Sequence, residues 1–199
     1  MGYLLIKDLT KDKIQITGDT RFNRVQERKD SHAMRKEFDA FRSSKNVILG
    51  SVIPSDYHVV FGGLKKIFPS GQGDLEQENV RLIVVPHEPV ESEISEIIRI
   101  LDDWKIGWSK LSEFGEDETP SALIVDEVGL LADIYSIGRC AYVGAGFGAG
   151  VHSVIEPAVH GCPVSFGPNI HILDEAIDLH ELGLGTIVTS EQGFSPLQI

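Results

Sequence analysis

Short apolar runs without polar alternation recur along this chain, and they constrain its fold more than any other feature. They are Val47-Ile48-Leu49, Arg81–Val85, Ala122–Val125, Cys140–Val143, Pro163–Phe166 and Thr186–Val188. A strand with one face in water alternates apolar and polar side chains. Strands that read as continuous apolar runs must be covered on both faces, as in a parallel sheet with helices on either side. Helical spacing fills the gaps between the runs. Ser55–Phe68 opens after Pro54, with Ser55 expected as its N-cap. Val90–Trp104 carries Ile94, Ile97, Ile98 and Leu101 on one side. Gly129–Ile137, Ser153–His160 and Leu173–Leu182 complete the alternation, and Ser70–Asp74 reads as a loop. The expected fold class is therefore α/β, a doubly wound, mostly parallel sheet with helices on both faces.

In such sheets ligands bind beyond the carboxyl ends of the strands. That rule selects the loops Gly50–Ser55, Pro86–Pro89, Asp126–Gly129, Gly144–Ser153 and Gly167–His171. The beginning of the chain is less regular. A strand is expected over Asp12–Thr17 and a charged helix over Asp30–Arg42. We divide the chain into an entry segment with a first helix (1–45) and the sheet domain (46–199).

Charge excludes several classes of partner. The net charge is -12 over 199 residues, which argues against nucleic acid and against adhesion to an anionic membrane. A small anion remains open, because backbone N–H groups at a helix start can hold one locally. No apolar run approaches the roughly 18 residues of a membrane span. Tyr3–Ile6 is too short for a signal peptide, so the chain is expected to be cytoplasmic. The two cysteines, Cys140 and Cys162, have no metal-binding spacing and read as buried thiols. No metal or cofactor is expected.

The richest stretch runs from Val143 to Pro157. It follows a strand, precedes a helix, and carries Gly144, Gly146, Gly148 and Gly150 at alternate positions. Glycines there allow tight turns and close approach to a ligand. Ser153 is expected near the helix N-terminus, where free N–H groups favour phosphate. Glu156 is placed in the first turn, where a carboxylate can accept two hydrogen bonds from a ribose diol. The loose match Gly144-x-Gly146-x-x-Ala149 to a dinucleotide fingerprint comes too late in the chain, and no Walker lysine follows it.

As a set, these residues resemble the C-terminal, GT-B type domain of the Kdo (3-deoxy-manno-octulosonic acid) transferases. The resemblance rests on Gly144–Phe147, Gly150–Ala158 and Gly161–Pro168. Upstream, Thr17–Arg24 looks like that family's domain-entry segment, Gly50-Ser51 like its "GS" loop, Val85-Pro86-His87 like its proline loop, and Ile124–Tyr135 like its "D-x-x-G-x-L" stretch. Three positions depart from the pattern. His87 and Glu88 follow Pro86 where the family often has arginine, Ser153 replaces an asparagine, and Val52-Ile53-Pro54 follows the "GS" pair.

The resemblance implies a Rossmann-like domain that binds CMP-Kdo, in an enzyme that transfers Kdo to a lipid A precursor without metal. It implies donor contacts from Ser51 toward the sugar or phosphate, and from His152 and Ser153 toward the phosphate, with His87 as a second donor. Gly146, Gly148 and Gly150 would give backbone access, Val128, Gly129 and Leu130 would lie against the cytosine, and Glu156 would hold the ribose. The family's proposed catalytic base, a glutamate, belongs to an N-terminal acceptor domain expected to lie outside this chain, as do the final C-terminal helices. The parent would work at the cytoplasmic face of the bacterial inner membrane, and the isolated chain would bind CMP weakly and transfer nothing. Other readings are a GT-B transferase using a UDP-sugar, a non-catalytic nucleotide-binding or interaction module, and an NAD-dependent oxidoreductase. The late glycines disfavour the last.

Overall fold

Both faces of the central strands are buried, and the reason is visible residue by residue. Successive side chains in a strand point to opposite faces. In strand β1 (Lys45–Val52) Val47 and Leu49 join one core, and Ile48 joins the other. In β2 (Val80–Pro86) Leu82 and Val84 face the first core, Ile83 and Val85 the second. The first core is closed by helices α1 (Pro54–Ile67) and α3 (Glu91–Asp103), through Val60, Leu64, Ile97 and Leu101. A short helix, α2 (Gln72–Gln77), adds Leu75. The second core is closed by a 3-10 turn at Lys36–Phe41 and by α4 (Leu131–Ile134), through Phe38, Phe41 and Ile134.

The structure, a computed structural model, describes residues 34–115 and 119–194, together with residues 23 and 25–27. The strand expected over Asp12–Thr17 and nearly all of the entry segment Thr17–Arg24 lie outside the described residues. The described end of the helix expected over Asp30–Arg42 is the 3-10 turn.

Five further strands complete the sheet: β3 (Trp108–Lys110), β4 (Ala122–Ile124), β5 (Gly138–Val143), β6 (Val164–Phe166) and β7 (Gly185–Ile187). Among the described residues they form one seven-stranded sheet in the order β3-β4-β2-β1-β5-β6-β7. Every pairing is parallel. The doubly wound α/β fold expected from the apolar runs is the observed one. The winding reverses beside β1, so the crevice between the ends of β1 and β5 is the topological switch point.

Several local expectations need correction. Gly50 and Ser51 belong to β1, which runs on to Val52 through a register shift, with Ser51 at φ +50. Helix α1 begins at Pro54, not with Ser55 as cap. Proline suits a first helical position because it has no N–H to satisfy, and it holds Ile53 extended at φ -122. Part of the loop expected at Ser70–Asp74 is the start of α2. Helix α5 is short, Ile155–Val159, so Ser153 lies two residues before its first residue. Its end explains its length. Gly161 at φ +76 follows the last turn, with Gly161 N–H donating to Ala158 C=O and Cys162 N–H to Pro157 C=O, a glycine stop. Helix α6 (Asp174–Glu181) ends the same way at Gly183. Edge strand β3 went unread because its half-buried residues carry no apolar run.

Candidate functional site

Parallel pairing brings all the strand-end loops to one edge of the sheet, and a buried carboxylate joins two of them, those after β1 and β5, at the switch point. Asp56, in the first turn of α1, is wholly buried. Its Oδ2 accepts the N–H of Ile53 at 3.0 Å and the N–H of Ala145 at 2.8 Å. Its Oδ1 accepts the Tyr142 hydroxyl at 3.2 Å and the Phe147 N–H at 3.4 Å. One side chain therefore caps α1, anchors the glycine-rich loop and satisfies a buried tyrosine. An isolated buried carboxylate is very costly, and these donors are what make it tolerable.

The loop itself is a closed turn. Gly144 N–H extends the ladder to Gly50 C=O at 2.8 Å, and Ala145 adopts φ +68. Gly148 and Gly150 then donate back to Ala145 C=O, and His152 N–H to Gly144 C=O. The loop after β6 locks it from outside. Asn169 N–H donates to Gly146 C=O, its Nδ2 to Gly148 C=O, and its own C=O accepts Val151 N–H.

The glycines serve this packing. A Cβ on Gly146 would stand 2.5 Å from the backbone N of Gly167, and one on Gly167 would meet Gly146 at the same distance. At Gly148 and Gly150 the space in front of Cα is taken by Ile53 and Ile172. Backbone contact within the chain requires glycine at Gly146, and φ +135 favours it at Gly150, whereas the contact at Gly148 is with the end of a flexible side chain.

The histidines meet across the crevice. His87 follows β2 and is pinned by its N–H to Val52 C=O at 3.0 Å. Its ring stacks on His152, with centroids 4.2 Å apart and planes 18° apart. His87 is exposed and His152 half-buried. The Nε2 of His152 is buried and has no hydrogen-bond partner among the described residues. Burial, then the neighbouring His87, hold the His152 pKa below its ordinary value, against the opposing pull of Asp56.

The other expected residues are distributed as follows. Ser51, the next-to-last residue of β1, is half-buried, with its C=O packed where a Cβ on Gly144 would stand. Ser153 is exposed beside His152. Glu156 is half-buried in α5 and acts electrostatically on Tyr135, whose ionisation is suppressed first by burial and then by this charge. The Tyr135 hydroxyl in turn fills the space in front of Gly50. Val128 and Gly129 are exposed in the loop after β4, Gly129 at φ +86, and Leu130 packs partly against the second core. Arg35 reaches this loop through a 2.6 Å ion pair with Glu127.

Asp56, Tyr142, Asn169 and Arg35 were missed from sequence. Only Asp56 carried a local sign, an acidic residue two positions after a helix-opening proline. Cys140 and Cys162 are buried, and burial pushes their thiols up to about 12 and about 11, so both stay protonated. Among the described residues no three His, Cys, Asp or Glu side chains gather into a group that could hold a metal. No described helix is long and apolar enough to cross a membrane.

No protein-family model matches the chain. Curated relatives are 3-deoxy-D-manno-octulosonic acid transferases. The one from Chlamydophila psittaci is 29% identical over 80% of this chain and 35% of its own length. That of Chlamydia pneumoniae is 30% identical over 81% of this chain and 36% of its own length. That of Aquifex aeolicus is 26% identical over 73% and 38%. The chain therefore spans little more than a third of these relatives. Among solved structures, the fold is like the C-terminal CMP-Kdo binding domain of WaaA from Acinetobacter baumannii (TM-score 0.56, 18% identity, 87% of this chain and 82% of that one). It is also like the UDP-GlcNAc 2-epimerase of Methanocaldococcus jannaschii (TM-score 0.52, 15% identity, 93% of this chain and 47% of that one).

Proposed function

We propose that this chain, a homologue of the 3-deoxy-D-manno-octulosonic acid transferases over most of its own length, belongs to the CMP-Kdo binding domain of such an enzyme. The observation that carries the reading is the convergence at the β1/β5 switch point of Ser51, His87, His152 and the carboxylate-anchored glycine loop. The fold alone does not choose the nucleotide, since it is also that of an epimerase solved with UDP and UDP-GlcNAc. The sequence relatives are named for Kdo transfer, and a solved domain of this fold is a CMP-Kdo binding domain, which supports CMP.

In this reading the phosphate lies against the histidine pair and Ser153. Transfer leaves negative charge on the departing CMP, and preorganised donors at that place lower its energy without reorganisation. Glu156 holds the ribose, and the backbone at Val128–Leu130 borders the cytosine. The sugar lies toward Ser51. The acceptor, a lipid A precursor, and the base that activates it belong to a second domain, and the complete enzyme works at the cytoplasmic face of the inner membrane. The chain by itself binds donor nucleotide and transfers nothing.

Calorimetric titration of CMP and UDP, with Glu156→Ala as control, tests this. CMP is expected to bind more tightly, and the variant to lose affinity for both. Equal binding by the variant removes the ribose assignment, and a clear preference for UDP removes the Kdo donor.

A further inference from the structure

We propose that the stacked His87–His152 pair takes up one proton from solvent when a nucleoside monophosphate occupies the site, and so holds that leaving group more tightly than the diester donor. The inference rests on the donor-site reading above and adds to it a charge state and a preference.

Two observations carry it. The rings lie face to face at 4.2 Å, where two imidazolium charges repel, so a proton on one ring disfavours a proton on the other. The Nε2 of His152 is buried and unpartnered among the described residues. A buried polar atom without a partner is unfavourable, and a ligand oxygen that accepts a hydrogen bond from it removes that cost. The direction of the His152 shift agrees: desolvation and His87 disfavour its charged form in the free protein.

The charged groups that face the pair come from two other elements. Asp56 faces His152 from α1, its two oxygens already occupied by N–H and O–H donors. Glu93 faces His87 from the first turn of α3. Its own carboxyl is raised chiefly by burial and next by Glu88, with His87 pulling the other way. Neither holds the pair in a fixed ion pair, so a phosphate can still change its protonation. A phosphate beside the rings favours the protonated pair.

A phosphodiester carries a single charge. A phosphomonoester gains a second above its pKa of about 6, and it draws the proton more strongly. The sign follows. The pair binds its proton more tightly in the complex, so affinity is greatest at the acidic end and falls as pH rises through the complex's pKa, by up to about tenfold per pH unit. Below about pH 6 the phosphate loses its second charge, so the optimum lies just above that.

The test is calorimetry of CMP binding to the full chain at pH 7 in two buffers of different ionisation enthalpy, with cytidine as the phosphate-free control. Uptake of about one proton is expected with CMP and none with cytidine. His87→Arg, an exposed substitution that supplies a fixed cation, should bind CMP with no uptake and a flat pH profile, and His152→Gln should also reduce uptake. CMP binding without proton uptake, or uptake unchanged in both variants, overturns the proposal and leaves the donor site standing. Failure of CMP to bind at any pH overturns both.

Discussion

Replacing Asp56 should loosen the candidate site from within. The side chain is completely buried and accepts from Ile53, Ala145, Tyr142 and Phe147. Asp56→Ala leaves those donors facing a small cavity. A buried donor left unpaired costs about 1–3 kcal/mol. The bonds to Ala145 and Ile53, at 2.8 and 3.0 Å, dominate, while those to Tyr142 and Phe147, at 3.2 and 3.4 Å, are longer and weaker. Relaxation and water entry recover part of the loss, so we expect about 3–5 kcal/mol in all. Asp56→Asn keeps one acceptor oxygen but turns an NH2 group toward donors, and should cost about 2–3 kcal/mol. Urea unfolding of the two variants measures this. Native-state hydrogen exchange should show the Ala145 and Phe147 amides losing protection more than those of β2. If Asp56→Ala unfolds within about 1 kcal/mol of the parent chain, the carboxylate does not organise the switch point.

Other consequences follow from the same geometry. Gly146→Ala places a methyl against the Gly167 backbone, where overpacking should cost about 1–3 kcal/mol by urea unfolding and weaken CMP binding. Lys105 occupies φ +58 at the end of α3, where its N–H meets Asp102 C=O and Ile106 N–H meets Leu101 C=O. Glycine suits that conformation, so Lys105→Gly should raise stability by about 1 kcal/mol in the same assay. Because the His152 pKa is depressed by folding, the unfolded chain binds protons more readily there. The His152 contribution should therefore be flat above the ordinary histidine pKa of about 6.5 and destabilise the fold as pH falls below it. The difference in urea midpoint between the parent and His152→Gln, followed from pH 7.5 to about pH 5.5, measures that contribution.

The fold was legible because burial on both sheet faces writes itself into the sequence as unbroken apolar runs. Ile48 and Leu49 serve different cores, and only their joint burial makes them adjacent hydrophobics. The strand-end rule then singled out loops that the parallel pairing brings to one edge of the sheet. What stayed hidden was long-range pairing. Asp56 and Ala145 are far apart in sequence and joined by one hydrogen bond. His87 and His152 were each legible as loop residues, but not as a stack. Nor does any local pattern show that Gly146 and Gly167 make room for each other. Ser55 was read as a cap because the pattern rewards serine, but Pro54 opens the helix and Asp56 takes the Ile53 N–H.

The most direct measurement is to map CMP onto the chain by amide chemical-shift perturbation. The account predicts that the largest changes fall on Ser51, His87 and residues 144–153, with smaller ones at residues 128–130 and Glu156. Changes centred on the groove between α1 and α3, at Tyr57, Phe61 and Ile100, or no changes at millimolar CMP, would contradict it.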